Sequence, residues 1–134
     1  MTTTQGPNLP TRLLVIDDDD EICRFVRTVA EMERFEVGTA TDSETFRVLY
    51  KETSPHIVIL DLAIPQTDGI ELLRFLATEN SPSYIFIMSG FDPRVRDAAE
   101  RLGHEHGLNM AGLIPKPVRA MDLRALLASA RDKL

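Results

Sequence analysis

Along the chain, short apolar runs alternate with amphipathic stretches, five of each in turn. The runs are Leu13 to Ile16, Glu36 to Ala40, Ile57 to Leu60, Tyr84 to Met88 and Ala111 to Ile114. Their length suits strands. Three of them are rich in Ile and Val without polar alternation, the pattern of strands covered on both faces of a parallel sheet. Between them, Ile22, Phe25, Val26 and Val29 recur at helical spacing, as do Ile70, Leu73, Leu76 and Ala77, so each segment offers one apolar face. Asp42 with Ser43 caps a second helix running to about Thr53, Asp92-Pro93 opens a fourth, and Met121 to Lys133 forms a fifth.

Strict alternation of strand and helix predicts an α/β fold: a (βα)₅ doubly wound parallel sheet with right-handed crossovers and helices on both faces. A flavodoxin-like strand order, 2-1-3-4-5, is the expected topology. The polar stretch at residues 1–10 reads as a disordered tail and residues 11–134 as one domain, with no repeat or linker inside it. With 134 residues and 43% hydrophobic content, a core can form without staples. The formal charge of -6 argues against direct binding of nucleic acid, which rewards clustered Lys and Arg. Cys23 is the single cysteine, which excludes an intramolecular disulfide and a zinc-type spacing and fits a reducing cytoplasm. No stretch approaches the ~20 apolar residues of a membrane helix, and the N-terminus lacks a signal peptide's pattern, so a soluble protein without membrane contact is expected.

In open α/β sheets, ligands bind beyond the carboxyl ends of the strands. The first strand is followed there by Asp17-Asp18-Asp19-Asp20 and the third by Asp61. In the predicted order these two strands are neighbours. Carboxylates ~4 Å apart repel by about 4 kcal/mol at an effective dielectric of about 20, which a hard divalent cation relieves. Mg²⁺ suits such a place, because it prefers oxygen ligands and keeps waters or phosphate oxygens among its six. Asp19 and Asp20 read as helix-capping charges, while for Asp17 and Asp18 alone capping and metal binding both stand. The fourth strand stops at Ser89-Gly90, and the fifth runs into Pro115-Lys116-Pro117. Proline on both sides restricts the lysine, and Lys116-Pro117 is a candidate cis peptide that aims the side chain inward. Paired acids, a central carboxylate, a hydroxyl and an ammonium are the parts needed to accept and hold a phosphoryl group.

The set Val15-Ile-Asp17-Asp18, Ile59-Leu-Asp61-Leu with Pro65 and Asp68-Gly69, Met88-Ser89-Gly90 and Lys116-Pro117 resembles the receiver domain of response regulators in two-component signalling. The match runs in order from about residue 12 to 133. The resemblance implies that Asp61 is the phosphoacceptor, and that Asp17, Asp18, Asp61 and the backbone carbonyl of Ala63 hold Mg²⁺. It implies further that Ser89 and Lys116 bind the phosphoryl oxygens. The donor would be the phosphohistidine of a sensor histidine kinase or histidine phosphotransfer protein. The outcome would be a conformational change passed to a partner or to an effector domain outside this chain. Such a domain is no enzyme toward external substrates and catalyses only its own phosphorylation and dephosphorylation. The face of helix 4, strand 5 and helix 5 is the implied surface for an effector or a second copy.

One departure from the family stands out. The switch position three residues before the lysine, usually Tyr or Phe, is Leu113, which lacks the aromatic lever. Two other classes remain open: a phosphorylation-independent receiver-like binding module, and a haloacid-dehalogenase-like phosphohydrolase suggested by Asp17-x-Asp19. His104 and His106 around Glu105 read as exposed turn residues, His56 as inert, and Cys23 as packing or half-exposed with no function. By the resemblance, Ala63 and Phe91 tune the lifetime of the acyl phosphate, and neither can orient an attacking water. Phosphoryl loss is therefore expected to be slow, and timing it in the native chain and in Phe91→Glu checks this: the variant should lose the group faster, and equal rates speak against the idea.

Overall fold

Each of the five apolar runs becomes a strand, and each strand is longer than its run, because the ladder is made by backbone groups and recruits polar flanking residues too. The computed structural model describes residues 10–63, 69–90 and 93–134. In chain order the elements are β1 (Thr11–Ile16), α1 (Asp20–Met32), β2 (Phe35–Ala40), α2 (Ser43–Thr53), β3 (Ile57–Asp61), α3 (Gly69–Thr78), β4 (Tyr84–Ser89), α4 (Pro93–Glu105), β5 (Asn109–Pro115) and α5 (Ala120–Asp132). The strands form one parallel sheet in the order β2-β1-β3-β4-β5, as expected. Residues 1–9 of the expected tail, and Pro65, Asp68, Phe91 and Asp92, lie outside the described residues.

Side chains of the central strands alternate between two cores, one on each face of the sheet. Leu14, Ile16, Val58, Leu60, Ile85 and Ile87 pack under α2, α3 and α4 with Phe46, Tyr50, Leu72, Leu73, Leu76 and Ala99. Leu13, Val15, Ile57, Ile59, Phe86 and Met88 pack under α1 and α5 with Val26, Val29, Leu123 and Leu127. Burial on both faces is why these strands read as unbroken apolar runs, whereas the edge strands β2 and β5 are half-buried. β5 also carries a register shift, in which Met110 and Gly112 pair with consecutive residues Ile85 and Phe86.

The helix caps follow the acidic signals. Asp19 accepts from the Glu21 N–H and Asp42 from the Thr45 N–H, each satisfying an orphan donor of the first turn. The apolar stripe of α1 differs from the one predicted: Phe25 is 36% exposed, and the buried face is Cys23, Val26, Val29 and Ala30. The small thiol and methyl groups allow α1 to lie close to the sheet, which turns the phenyl ring outward. α4 runs through Gly103 to Glu105, because at Gly103 the missing side chain leaves room for Met110 of β5.

Gly69 opens α3 directly against the exit of β3. A Cβ there would sit 2.7 Å from Leu62 Cδ2 and 2.8 Å from Leu62 Cα, and the second of these is backbone that cannot turn aside. Helix propensity favours alanine over glycine by about 1 kcal/mol, while overpacking costs about 1–3 kcal/mol. Gly69→Ala is therefore expected to be net destabilising. Gly103→Ala meets only the flexible thioether of Met110 and should stay within about 1 kcal/mol of the native chain. Urea denaturation of both variants checks the ranking, and a larger loss at Gly103 would contradict it.

Candidate functional site

β1 and β3 are adjacent and end in register, with Ile16 opposite Leu60, so the residues that follow them leave the sheet side by side. Asp17 and Asp61 thus meet at the carboxyl edge, 0% and 1% exposed, with the exposed Asp18 beside them. Oxygens of the three carboxylates lie within 4.8 Å of one another. Among the described residues no other group of His, Cys, Asp and Glu has a metal-holding arrangement; His104, Glu105 and His106 are exposed at the end of α4.

The lysine after β5 closes the site. Lys116 Nζ is 2.9 Å from Asp17 Oδ2 and 3.3 Å from Asp61 Oδ1. Its backbone N–H donates to the Ser89 carbonyl at 3.0 Å, and the Leu62 N–H donates to the Met88 carbonyl at 3.2 Å, so the exits of β3, β4 and β5 are tied together. The Lys116-Pro117 peptide is cis. Burial disfavours the ammonium, yet the hydrogen bond to Asp17 and the charge of both aspartates outweigh it, and the lysine is held above its ordinary pKa. It is charged at any physiological pH.

Each buried carboxylate has one oxygen anchored by a backbone N–H: Asp19 donates to Asp17 Oδ1 at 2.9 Å and Ala63 to Asp61 Oδ1 at 3.2 Å. Asp17 Oδ2 is met by the Lys116 ammonium, and Asp61 Oδ2 has no hydrogen-bond partner among the described residues. A buried, unpartnered carboxylate oxygen is costly. With two more acids beside it, it fits the donor set of a hard divalent cation such as Mg²⁺. Asp61 opens into a cleft of about 380 Å³ lined also by Leu62, Ala63, Ser89, Gly90, Val95 and Lys116.

Cys23 lies directly behind this edge. Its thiol is fully buried and donates to the carbonyls of Asp17 and Ala40 at 3.4 and 3.5 Å, which are the exits of β1 and β2. Burial above all, with the charges of Asp17, Asp20 and Asp19, pushes the thiol up to about 11, so it stays protonated and unreactive.

The chain is similar in sequence and fold to known proteins. A family model described as the response regulator receiver domain matches residues 13–128. The chain belongs to that family. It is a receiver domain of two-component response regulators. The regulatory protein VanRB of Enterococcus faecalis is 38% identical over 69 residues, 52% of this chain and 31% of that protein. A crystal structure of a response regulator from Colwellia psychrerythraea is 30% identical with a TM-score of 0.80, covering 94% of this chain and all of the other. Full-length FixJ from B. japonicum is 28% identical with a TM-score of 0.78, covering 92% of this chain and 58% of that one. The receiver spans about a fifth to about half the length of the curated relatives it matches. Among its described residues no helix is long and apolar enough to cross a membrane.

The fold of the receiver brings Asp17, Asp18, Asp61 and Lys116 together, with Ser89 and Ala63 on the same cleft. Leu113 stands apart, paired with Ile87 and packed against the core under α2–α4. Phe91 lies outside the described residues. Cys23, read from the sequence as packing or half-exposed, is fully buried, and Val95 was missed because a valine in a polar helix carries no motif.

If Lys116 holds the two buried carboxylates, Lys116→Met should destabilise the domain. The loss should fall below the ~3–5 kcal/mol of a fully buried pair, because the ammonium is partly solvated. Adding Asp61→Asn to that variant should recover stability by removing one uncompensated charge. Urea midpoints of the two single variants and the double variant make the test, and strict additivity of the losses would contradict it.

Proposed function

We propose that the chain is a phosphoacceptor, in which Asp61 takes a phosphoryl group from the phosphohistidine of a sensor histidine kinase or histidine phosphotransfer protein. The observation that carries this reading is the environment of Asp61. One oxygen is held by the Ala63 N–H and faces Lys116, the other is buried without a hydrogen-bond partner among the described residues, and the residue lines an open cleft. A carboxylate held in this way is oriented before its reaction partner arrives. In-line attack by Oδ2 forms the new P–O bond as the P–N bond to the donor imidazole breaks, and that nitrogen keeps the electron pair. Lys116 and Ser89 then take the phosphoryl oxygens, meeting a charge of about -1.5 to -2 with an ammonium and a hydroxyl. Asp17, Asp18, Asp61 and the backbone carbonyl of Ala63 would hold Mg²⁺, which would supply charge neutralisation for the transferring group. No external substrate is turned over; the domain catalyses only its own phosphorylation and dephosphorylation.

The relay is the second part of the proposal. Loading Asp61 draws Lys116 and Ser89 toward the phosphoryl group, and both sit at the ends of β4 and β5. The change reaches a partner, a second copy or an effector domain outside the chain through the face of α4, β5 and α5, with Leu113 beneath it in place of an aromatic switch. Relatives such as ycf27 of Cyanophora paradoxa, called a probable transcriptional regulator, are about twice the length matched here, which favours an effector elsewhere. Contact with nucleic acid is assigned to that partner and not to this acidic chain, and the working compartment is the cytoplasm.

Incubation with phosphoramidate and Mg²⁺ followed by intact-mass measurement tests the chemistry. One labile phosphoryl adduct is expected on the native chain, absent in Asp61→Asn and absent when the metal is chelated. No adduct on the native chain would instead favour a binding module that works without phosphorylation, and multiple turnover of phosphate esters a haloacid-dehalogenase-like hydrolase.

A further inference from the structure

The cleft over Asp61 is chemically divided. Of the described residues that line it, Asp61, Ser89 and Lys116 have polar side chains, and Leu62, Ala63, Gly90 and Val95 do not. On the phosphoacceptor reading, the three polar groups are all engaged, one carrying the phosphoryl group and two binding its oxygens. None of these lining side chains is left to orient water.

Val95 is distinct among the apolar four. Leu62 is buried beneath the cleft, while Ala63 and Gly90 offer a methyl group or none. Val95 comes from another element, the first turn of α4, and is 40% exposed where it borders the opening. α4 is fixed to the core one turn later by the fully buried Ala99, so the position of the isopropyl group is set by helix packing.

We infer that Val95 governs the lifetime of the phosphorylated state by screening the acyl phosphate from water. The inference rests on the phosphoacceptor reading of Asp61. In the step it slows, a water oxygen bonds to phosphorus while the bond between phosphorus and the Asp61 oxygen breaks. The electron pair returns to the carboxylate, and both water protons leave with inorganic phosphate. Attack needs a water in line behind the phosphorus, and a branched apolar group at the mouth disfavours one there. Val95 carries no group that can react with or bind the phosphoryl oxygens, so its part is one of positioning and exclusion. It also places control of lifetime on α4, within the face assigned to the output partner, so that a partner seated against this turn would lengthen the signal it reads.

The native chain, Val95→Ala, Val95→Thr and Val95→Ile are loaded with phosphoramidate and Mg²⁺ and freed of donor, and loss of the adduct is timed by intact mass. Val95→Ala, which opens the mouth, and Val95→Thr, which keeps its size but adds a hydroxyl, should each lose the group at least about threefold faster. Val95→Ile should match or outlast the native chain. Urea midpoints are recorded in parallel, since a purely structural role would move stability and leave these rates in no such order. Native-like decay in both Val95→Ala and Val95→Thr, or acceleration in Val95→Ile equal to theirs, overturns the inference while leaving Asp61 as the acceptor. Failure of the native chain to load overturns the reading of Asp61 itself.

Discussion

Two carboxylates buried side by side at the end of a sheet repel each other in a setting where water cannot screen them, and the ammonium of Lys116 between Asp17 and Asp61 is what makes that arrangement tenable. Much of the architecture serves this contact. β5 is separated from β3 by β4, so the lysine must reach back across the end of β4. The bond from its N–H to the Ser89 carbonyl fixes where that reach begins. A long flexible stem ending in a compact charge can bridge such a gap, and its partly exposed position leaves it able to turn toward an incoming anion.

The opposite edge of the sheet is built differently. There the Arg12 N–H donates to His56 Nδ1, the Arg12 guanidinium donates to the Thr53 and Ser54 carbonyls, and the Ser83 hydroxyl donates to the Pro55 carbonyl. Burial and the nearby Arg12 hold His56 below its ordinary pKa, which keeps Nδ1 free to accept. Polar groups at this edge satisfy one another, whereas at the carboxyl edge an oxygen of Asp61 is left without a partner among the described residues. Strain of that kind is tolerable because the two cores beneath are fully packed, and it is what gives the site its capacity to bind. The apolar wall that α4 contributes, through Val95, adds a second property, since what binds there is also kept from water.

The legible and illegible parts of the molecule divide along physical lines. Strands β1, β3 and β4 were plain because burial on both faces leaves an unbroken apolar run, and their order followed from alternation and crossover handedness. The gathering of Asp17, Asp18, Asp61, Ser89 and Lys116 at one edge was legible because each ends a strand or lies within two residues of a strand's end. The stripe of α1 was misjudged at Phe25, since hydrophobicity alone ranks phenylalanine inward, while the space between helix and sheet admits the smaller Cys23 and Ala30. That a glycine stands within α4 at Gly103 is explained by Met110, a neighbour brought near only by the fold.

By itself, then, the sequence determined the class of the fold, the sheet order and the chemical types gathered at one edge, because periodicity and strand ends are local properties written in consecutive residues. Only the tertiary structure decided that Lys116 pairs with both aspartates, that one Asp61 oxygen is left without a partner among the described residues, that Cys23 clasps the exits of β1 and β2, and that Val95 walls the cleft. These are distances between side chains that are dozens of residues apart or carry no motif. They are set by how helices seat on the sheet, and packing of that kind leaves no mark in the local pattern.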